Sequence, residues 1–168
     1  MKTRIVYKSN FNSGIGRLFY LWDENCRLIF LGIWENYINF INDLKNGSDI
    51  KFFSKKFEKL EKELTLYFAG KLKKFSVEVE LGGFTDFERK VLHSLKEVEY
   101  GKKLSYSQLA RISGYPKACR AVGSCMAKNP TMIIIPCHRI IKSDGSIGNF
   151  SSGIQRKEKL LKLERANL

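Results

Sequence analysis

Residues 105–130 read SYSQLARISGYPKACRAVGSCMAKNP, and this stretch decides the fold of the half of the chain that contains it. Ser105-Tyr106-Ser107-Gln108 has the spacing of a capping box, in which a Ser hydroxyl and a Gln side chain satisfy two free N–H groups at a helix start. The helix it opens stops at Gly114, a residue that tolerates the left-handed conformation common at helix ends. Pro116 fits the first position of a second helix running to about Lys128, where Asn129-Pro130 terminates it. Two short helices joined by Ser113-Gly114-Tyr115, the second rich in small and basic residues, predict a helix-turn-helix. A generic helical hairpin has the same outline, so the surrounding charge must discriminate.

The charge favours a polyanionic partner. Thirty Lys and Arg against 17 Asp and Glu give +13, an excess that points toward nucleic acid. It is unevenly spread: residues 1–83 carry a net +4 and residues 84–168 a net +9. No acid lies between Glu99 and Asp144, a window that holds Lys102, Lys103, Arg111, Lys117, Arg120, Lys128, Arg139 and Lys142. Lys51 to Lys74 reads as ordinary solvated surface, because Glu58, Glu61 and Glu63 are interleaved there. The acid-free window has no such compensation and predicts a DNA-binding face.

Outward from the helix pair, 168 residues allow one domain or two small ones. A chain of this size buries roughly 70% of its unfolded surface and needs no metal or disulfide to fold. Gly82-Gly83 marks the boundary between residues 1–81 and 82–168. The first part opens with strand-like runs at Thr3–Tyr7, Gly16–Trp22 and Arg27–Leu31, with a hairpin turn at Asp23-Glu24-Asn25. Helical periods follow at Trp34–Leu44, ending near Asn46-Gly47, and at Ser54–Phe68, stopped by Gly70. The reading is an α+β chain: a small N-terminal α/β domain with an antiparallel sheet, then a mostly helical C-terminal domain containing the helix-turn-helix. Thr85-Asp86-Phe87-Glu88 caps the first helix of that second domain, with Phe87, Val91, Leu92, Leu95 and Val98 as its apolar stripe and Gly101 as its end. His93 faces away from that stripe. The closing helix, Ile154–Leu163, is capped by Ser151 or Ser152 and packs through Leu160, Leu161 and Leu163. No run approaches the roughly 20 apolar residues of a membrane span, and Met1 to Tyr7 lacks the apolar core of a signal peptide. A cytoplasmic protein with no membrane partner is expected.

The chain has four cysteines, Cys26, Cys119, Cys125 and Cys137, and two histidines, His93 and His138. With no C-x-x-C, a zinc site of the usual spacing has no ligand set. Free thiols are expected, three of them as small buried hydrophobes. Cys137 differs. It follows the buried-strand-like run Met132-Ile133-Ile134-Ile135-Pro136 and precedes His138 and Arg139. A thiol held rigidly by packing near an imidazole has what a nucleophile needs. A buried structural cysteine is the competing reading. A phosphatase loop is excluded because position 143 is Ser rather than Arg, and a papain-like site because its local Cys signature and distant second His are absent.

Pro136-Cys137-His138-Arg139-Ile140-Ile141 resembles the signature of the O6-alkylguanine-DNA alkyltransferases, the methylated-DNA–protein-cysteine methyltransferases. The same order and approximate spacing extend through Ser105-Tyr106-Ser107-Gln108-Leu109-Ala110, Arg120-Ala121-Val122-Gly123, Asn129-Pro130, Gly148-Asn149 and Lys157-Glu158. The resemblance covers residues 84–165 closely; the first half is compatible in architecture alone.

The resemblance implies an irreversible, single-turnover transfer of an alkyl group from O6 of guanine in DNA to Cys137. His138 is implied as the base, acting through a water, and Glu158 as the carboxylate that orients it. Tyr106 is implied as a hydrogen-bond donor to N3 of the guanine, the Ser151 backbone N–H as a donor at O6, and the Cys137 and Ile140 carbonyls as acceptors for the exocyclic amine. Arg120 is implied as the residue that fills the gap left by the flipped nucleotide. Ser105, Ala121 and Gly123 are implied as parts of the DNA and substrate surface, and Asn129 as the brace of the active-site turn. The implied partner is double-stranded DNA containing O6-alkylguanine, met from the minor groove by a monomer without cofactor or metal. Three departures from the family pattern stand out. Phe150 replaces a common Tyr, Ser152 replaces a common Gly and is expected to narrow the pocket, and zinc ligands found in some N-terminal halves are absent. The alternative is a DNA-binding regulator, or a lesion sensor without transfer activity; the presence of Cys137 argues against the sensor.

Overall fold

The computed structural model describes residues 3–46 and 49–168. The chain folds as two compact units, Met1–Glu80 and Leu81–Leu168. The first contains β1 (Arg4–Ser13), β2 (Gly16–Asp23), β3 (Leu28–Gly32), α1 (Trp34–Lys45), β4 (Ile50–Ser54) and α2 (Glu58–Phe68). Its sheet has the order β3-β2-β1-β4. The hairpins β1–β2 and β2–β3 are antiparallel, as expected, but β4 runs parallel to β1, so the sheet is mixed. The sequence reading did not find β4, because Ile50-Lys51-Phe52-Phe53 has no clean alternation; the strand forms on the free edge of β1. The helix expected from Ser54 accordingly starts at Glu58.

β1 runs well past Tyr7. Lys8, Asn10 and Asn12 have weak strand preference, which the ladder with β2, from Val6↔Asp23 to Ser13↔Gly16, overrides. The turn after β2 is held by the Asp23 carboxylate, which accepts from the N–H groups of Asn25 at 3.0 Å and Arg27 at 2.9 Å. Alternation along β2 separates two cores. Leu21 packs with Val6, Ile29, Phe30 and Tyr37 against α1. Its neighbours point the other way: the Tyr20 hydroxyl donates to Glu61 at 2.6 Å, and Trp22 stacks on Phe57. Burial of Leu60, Leu64 and Tyr67 from α2 stabilises that face by about 1.5–3 kcal/mol per side chain. Asn46 caps α1; Gly47, expected to share that role, lies outside the described residues.

The second unit contains α3 (Asp86–Lys96), β5 (Leu104–Ser105), α4 (Tyr106–Ile112), α5 (Cys119–Ala127), a 3-10 turn (Cys137–Arg139), β6 (Ile140–Ile141) and α6 (Ile154–Ala166). Both predicted capping boxes form, Thr85 with Glu88 and Ser105 with Gln108. Val91, Leu92 and Leu95 are buried, and His93 is exposed. Gly114 adopts φ +86° after α4. The second helix of the pair starts at Cys119 rather than Pro116. Ala118 N–H donates to the Tyr115 carbonyl at 2.9 Å, so Pro116 occupies the second position of a turn, where its fixed φ serves equally well. α6 is capped by Gly153 at φ 94° rather than by a serine side chain. It buries Lys157, Leu160 and Glu164, while Leu161 and Leu163 are only partly covered. No helix among the described residues is long and apolar enough to cross a membrane.

Candidate active site

Thr131 to Ile140 are buried without interruption, yet the run before Cys137 is a tight turn rather than the expected strand. Ile135 N–H donates to the Thr131 carbonyl at 3.0 Å, and Ile133 is left-handed at φ 75°. That conformation is costly for a β-branched residue, about 1–3 kcal/mol, and persists where packing over-determines it. A short apolar run reads alike as strand or buried turn, so the pattern alone did not separate them. From this turn Cys137 enters the 3-10 turn, its N–H bonded to the Ile135 carbonyl at 2.8 Å. Asn129 ties the region together. Its Nδ2 donates to Ile135 O at 2.8 Å and to Cys137 Sγ at 3.0 Å, while its Oδ1 accepts from Thr131 N–H at 3.1 Å.

Burial pushes the Cys137 thiol up, against the Asn129 hydrogen bond and the Lys157 charge, which pull it down. Burial also holds His138 below its ordinary value, opposed by Glu164. The site therefore pairs a protonated thiol with a neutral imidazole, the combination in which a base is needed to release the nucleophile. His138 Nε2 lies 2.8 Å from Glu164 Oε1, whereas the buried Nδ1 has no protein partner. With Nε2–H donating to the carboxylate, Nδ1 carries a lone pair and is free to accept a proton.

Glu164, not Glu158, is the carboxylate on His138. Glu158 is exposed; at 100° per residue it lies on the far side of α6 from Leu160, whereas Glu164 lies about 40° from it. Glu164 also accepts from Arg139 Nη2 at 2.8 Å, Arg139 Nε at 3.0 Å and Gly101 N–H at 2.9 Å. Burial pushes this carboxyl up, but the hydrogen bonds from His138 and Arg139 outweigh it and hold it well below the usual range. Sequence reasoning missed Glu164 by following the motif instead of the helical period, which puts residues 157, 160 and 164 on one stripe. It also gave no role to Lys157, which is fully buried. Lys157 Nζ donates to the carbonyls of Ile140 and, at 3.4 Å, Asn149; burial pushes it down to about 8.

Cys137 opens onto a cleft of about 210 Å³ that it shares with Tyr106, Gly123, Met126, Ala127, Asn149, Phe150 and Ser151. Burial, and then the neighbouring Cys137 and Cys119, push the Tyr106 hydroxyl up, so it stays a donor at neutral pH. A Cβ at Gly123 would meet the Tyr106 ring at 4.0 Å, an ordinary van der Waals contact, so this position lies directly against the ring. Ser105 is the N-cap of α4, its Oγ accepting from Gln108 N–H at 3.1 Å. Arg120 and Ala121 are exposed in the first turn of α5, and Ile140 is buried. Ser152 does not narrow the cleft; its buried Oγ turns toward the Met132 sulfur at 3.5 Å. Cys26 and Cys119 are exposed, against the expectation of buried thiols, while Cys125 and Cys137 are buried. Among the described residues no group of three or more His, Cys, Asp or Glu could hold a metal ion.

The acid-free window is reshaped by folding. Arg139 is buried on Glu164, and Lys128 pairs with Glu88 at 2.6 Å. Lys102, Lys103, Arg111, Lys117, Arg120 and Lys142 remain exposed.

A helix-turn-helix unit here shares its cleft with a buried thiol, which separates this class of protein from those that read DNA with the second helix alone. A family model described as 6-O-methylguanine DNA methyltransferase, DNA binding domain, matches residues 86–166. The methylated-DNA–protein-cysteine methyltransferase of Methanosarcina acetivorans is 37% identical over 162 residues, which are 95% of this chain and 98% of that one. Its counterpart from Methanosarcina barkeri is 45% identical over 67% of this chain and 70% of its own. Among solved structures, Mycobacterium tuberculosis OGT in complex with DNA superposes with a TM-score of 0.83 at 33% identity, covering 96% of this chain and 94% of that one. The O6-methylguanine-DNA methyltransferase of Pyrococcus kodakaraensis strain KOD1 gives 0.72 at 29% identity, over 95% and 98%. The chain belongs to the methylated-DNA–protein-cysteine methyltransferase family.

Proposed function

We propose that this DNA-repair methyltransferase transfers the alkyl group of O6-alkylguanine to Cys137 in one irreversible turnover. The observation that carries the reading is the Cys137 thiol, open to a cleft, hydrogen-bonded by Asn129 and followed in sequence by the buried His138–Glu164 pair. His138 Nδ1 takes the thiol proton through a water, and Glu164 stabilises the imidazolium. The sulfur attacks the alkyl carbon in line; the S–C bond forms as the C–O6 bond breaks, and the electron pair passes to the guanine. Tyr106 donates to N3 and the Ser151 N–H to O6, offsetting the charge of the leaving base. The Cys137 and Ile140 carbonyls accept from the exocyclic amine; the Ile140 carbonyl, with two lone pairs, also serves Lys157.

A lesion oxygen stacked in a duplex is out of reach of a buried thiol, so the nucleotide is flipped out, at a cost of a few kcal/mol. Arg120 fills the gap from the minor groove, where the degenerate pattern of base edges imposes little sequence preference. Ala121 and Gly123 allow the helix to approach closely, and Asn129 keeps the thiol aimed. The protein acts as a monomer on cytoplasmic or nucleoid DNA. Incubation with a duplex containing O6-methylguanine, followed by intact-protein mass measurement, tests the reading. One added methyl group per chain, mapped to Cys137 and abolished by Cys137→Ala, is the expected result. An adduct on Cys26, Cys119 or Cys125 overturns it.

A further inference from the structure

Glu88 sits in the first turn of α3, far in sequence from Cys137, yet three separate contacts converge on it. Its carboxylate accepts from Thr85 N–H at 3.0 Å as half of the capping box. The other carboxylate oxygen holds Lys128 Nζ at 2.6 Å, and its backbone carbonyl takes a weak hydrogen bond from the Cys125 thiol at 3.8 Å. Both of the last two come from the C-terminal end of α5. Lys128 is the C-cap of that helix, and the next residue is Asn129, whose amide touches Cys137 Sγ.

We propose that Glu88 and Lys128 form a clasp that fixes the end of α5 against α3 and thereby positions Asn129 on the nucleophile, so that Lys128 serves alkyl transfer as a positioning residue and not as a DNA-phosphate contact. The geometry gives the clasp an anchored side: the Glu88 side chain is 13% exposed and already bonded by the capping box, whereas Lys128 is 62% exposed. Lys128, and after it the capping-box contacts, hold the Glu88 carboxyl down to about 2, so the pair stays ionised throughout the neutral range. α5 carries Gly123, Met126 and Ala127 on the cleft as well as Asn129 beyond its end, so a loosened C-terminus disturbs one whole wall of the site. A residue whose only task is to meet a phosphate has no effect on a substrate without DNA.

The inference rests on Cys137 being the acceptor, and the test separates the two claims. Single-turnover transfer from the free base O6-benzylguanine is measured across base concentration for the parent protein, Glu88→Gln, Lys128→Met, the double variant and Lys128→Arg. Gln at position 88 keeps the capping box and removes the charge, and Lys128 is on the surface, so each variant is expected to fold. Each single variant is expected to lower the maximal rate about three- to fivefold, the scale of a partly exposed ion pair, with little change in half-saturation. The double variant should be no slower than either single one, because one shared interaction is lost, and Lys128→Arg should recover the parent rate. Parent-like rates in both single variants overturn the clasp, as do losses that multiply in the double variant or appear only with duplex DNA. If the parent protein transfers nothing from either substrate, the assignment of Cys137 falls, and this inference with it.

Discussion

Glu158 and Glu164 lie six residues and about 120° apart around α6, the first exposed and the second buried, so one substitution at each distinguishes the two roles. Glu164→Gln leaves Arg139 buried without a countercharge, a loss of about 3–5 kcal/mol, and removes the group that orients His138. Denaturant unfolding should register that cost, and transfer should slow sharply even under conditions where the variant remains folded. Glu158→Gln should leave stability within about 0.5 kcal/mol and transfer unchanged. The buried pair also sets the response to acid. His138 is held below its ordinary 6.5 and Glu164 below its ordinary 4.5, so below each of these values the unfolded chain binds more protons than the folded one. Their stabilisation is complete above about pH 6.5 and is lost on acidification, first through His138 and then through Glu164. The thermal midpoint should therefore fall between pH 7 and pH 5, and His138→Asn should flatten that fall. A parent midpoint that rises toward pH 5 contradicts the buried neutral imidazole. Lys157 acts on the thiol by charge: Lys157→Met should slow transfer from free O6-benzylguanine, because the Cys137 thiol loses a neighbour that pulls it down.

At the scale of elements, the helix pair divides its labour along α5. The N-terminal turn presents Arg120 to solvent, the middle presents Gly123 to the cleft, and the C-terminal end is tied to α3. If Arg120 supports flipping alone, Arg120→Ala should depress repair of a lesion in duplex DNA far more than reaction with free O6-benzylguanine. Equal losses on both substrates contradict this division and indicate damage to the cleft. The left-handed Ile133 belongs at this scale too. Four residues before Cys137, a strained turn is kept in place by the burial of Thr131 to Ile140, and it delivers the thiol into a 3-10 turn instead of an extended chain.

Across the whole molecule, the charge of +13 becomes a footprint only after folding removes some of its members. Lys128 and Arg139 are paired internally, and the six other cations of the acid-free window remain exposed. Binding to undamaged duplex should weaken steeply with salt, as each phosphate contact releases counterions. Neutralising Lys117 should reduce the slope of that dependence, whereas Lys128→Met should leave it unaltered; fluorescence anisotropy over a salt series measures both. Local sequence determined what depends on neighbours along the chain: the two capping boxes, the stop at Gly114, the hairpin turn at Asp23 and the Pro136-Cys137-His138 signature. Each is specified within a few residues, where hydrogen bonding and backbone preference act alone. Tertiary structure decided the rest. β4 exists because β1 offers it an edge, and Pro116 lies in a turn because the Tyr115 carbonyl bonds Ala118. Glu164 displaces Glu158 because burial selects the face of α6 that touches His138, and proximity across 26 residues is a property of packing, which no local pattern encodes.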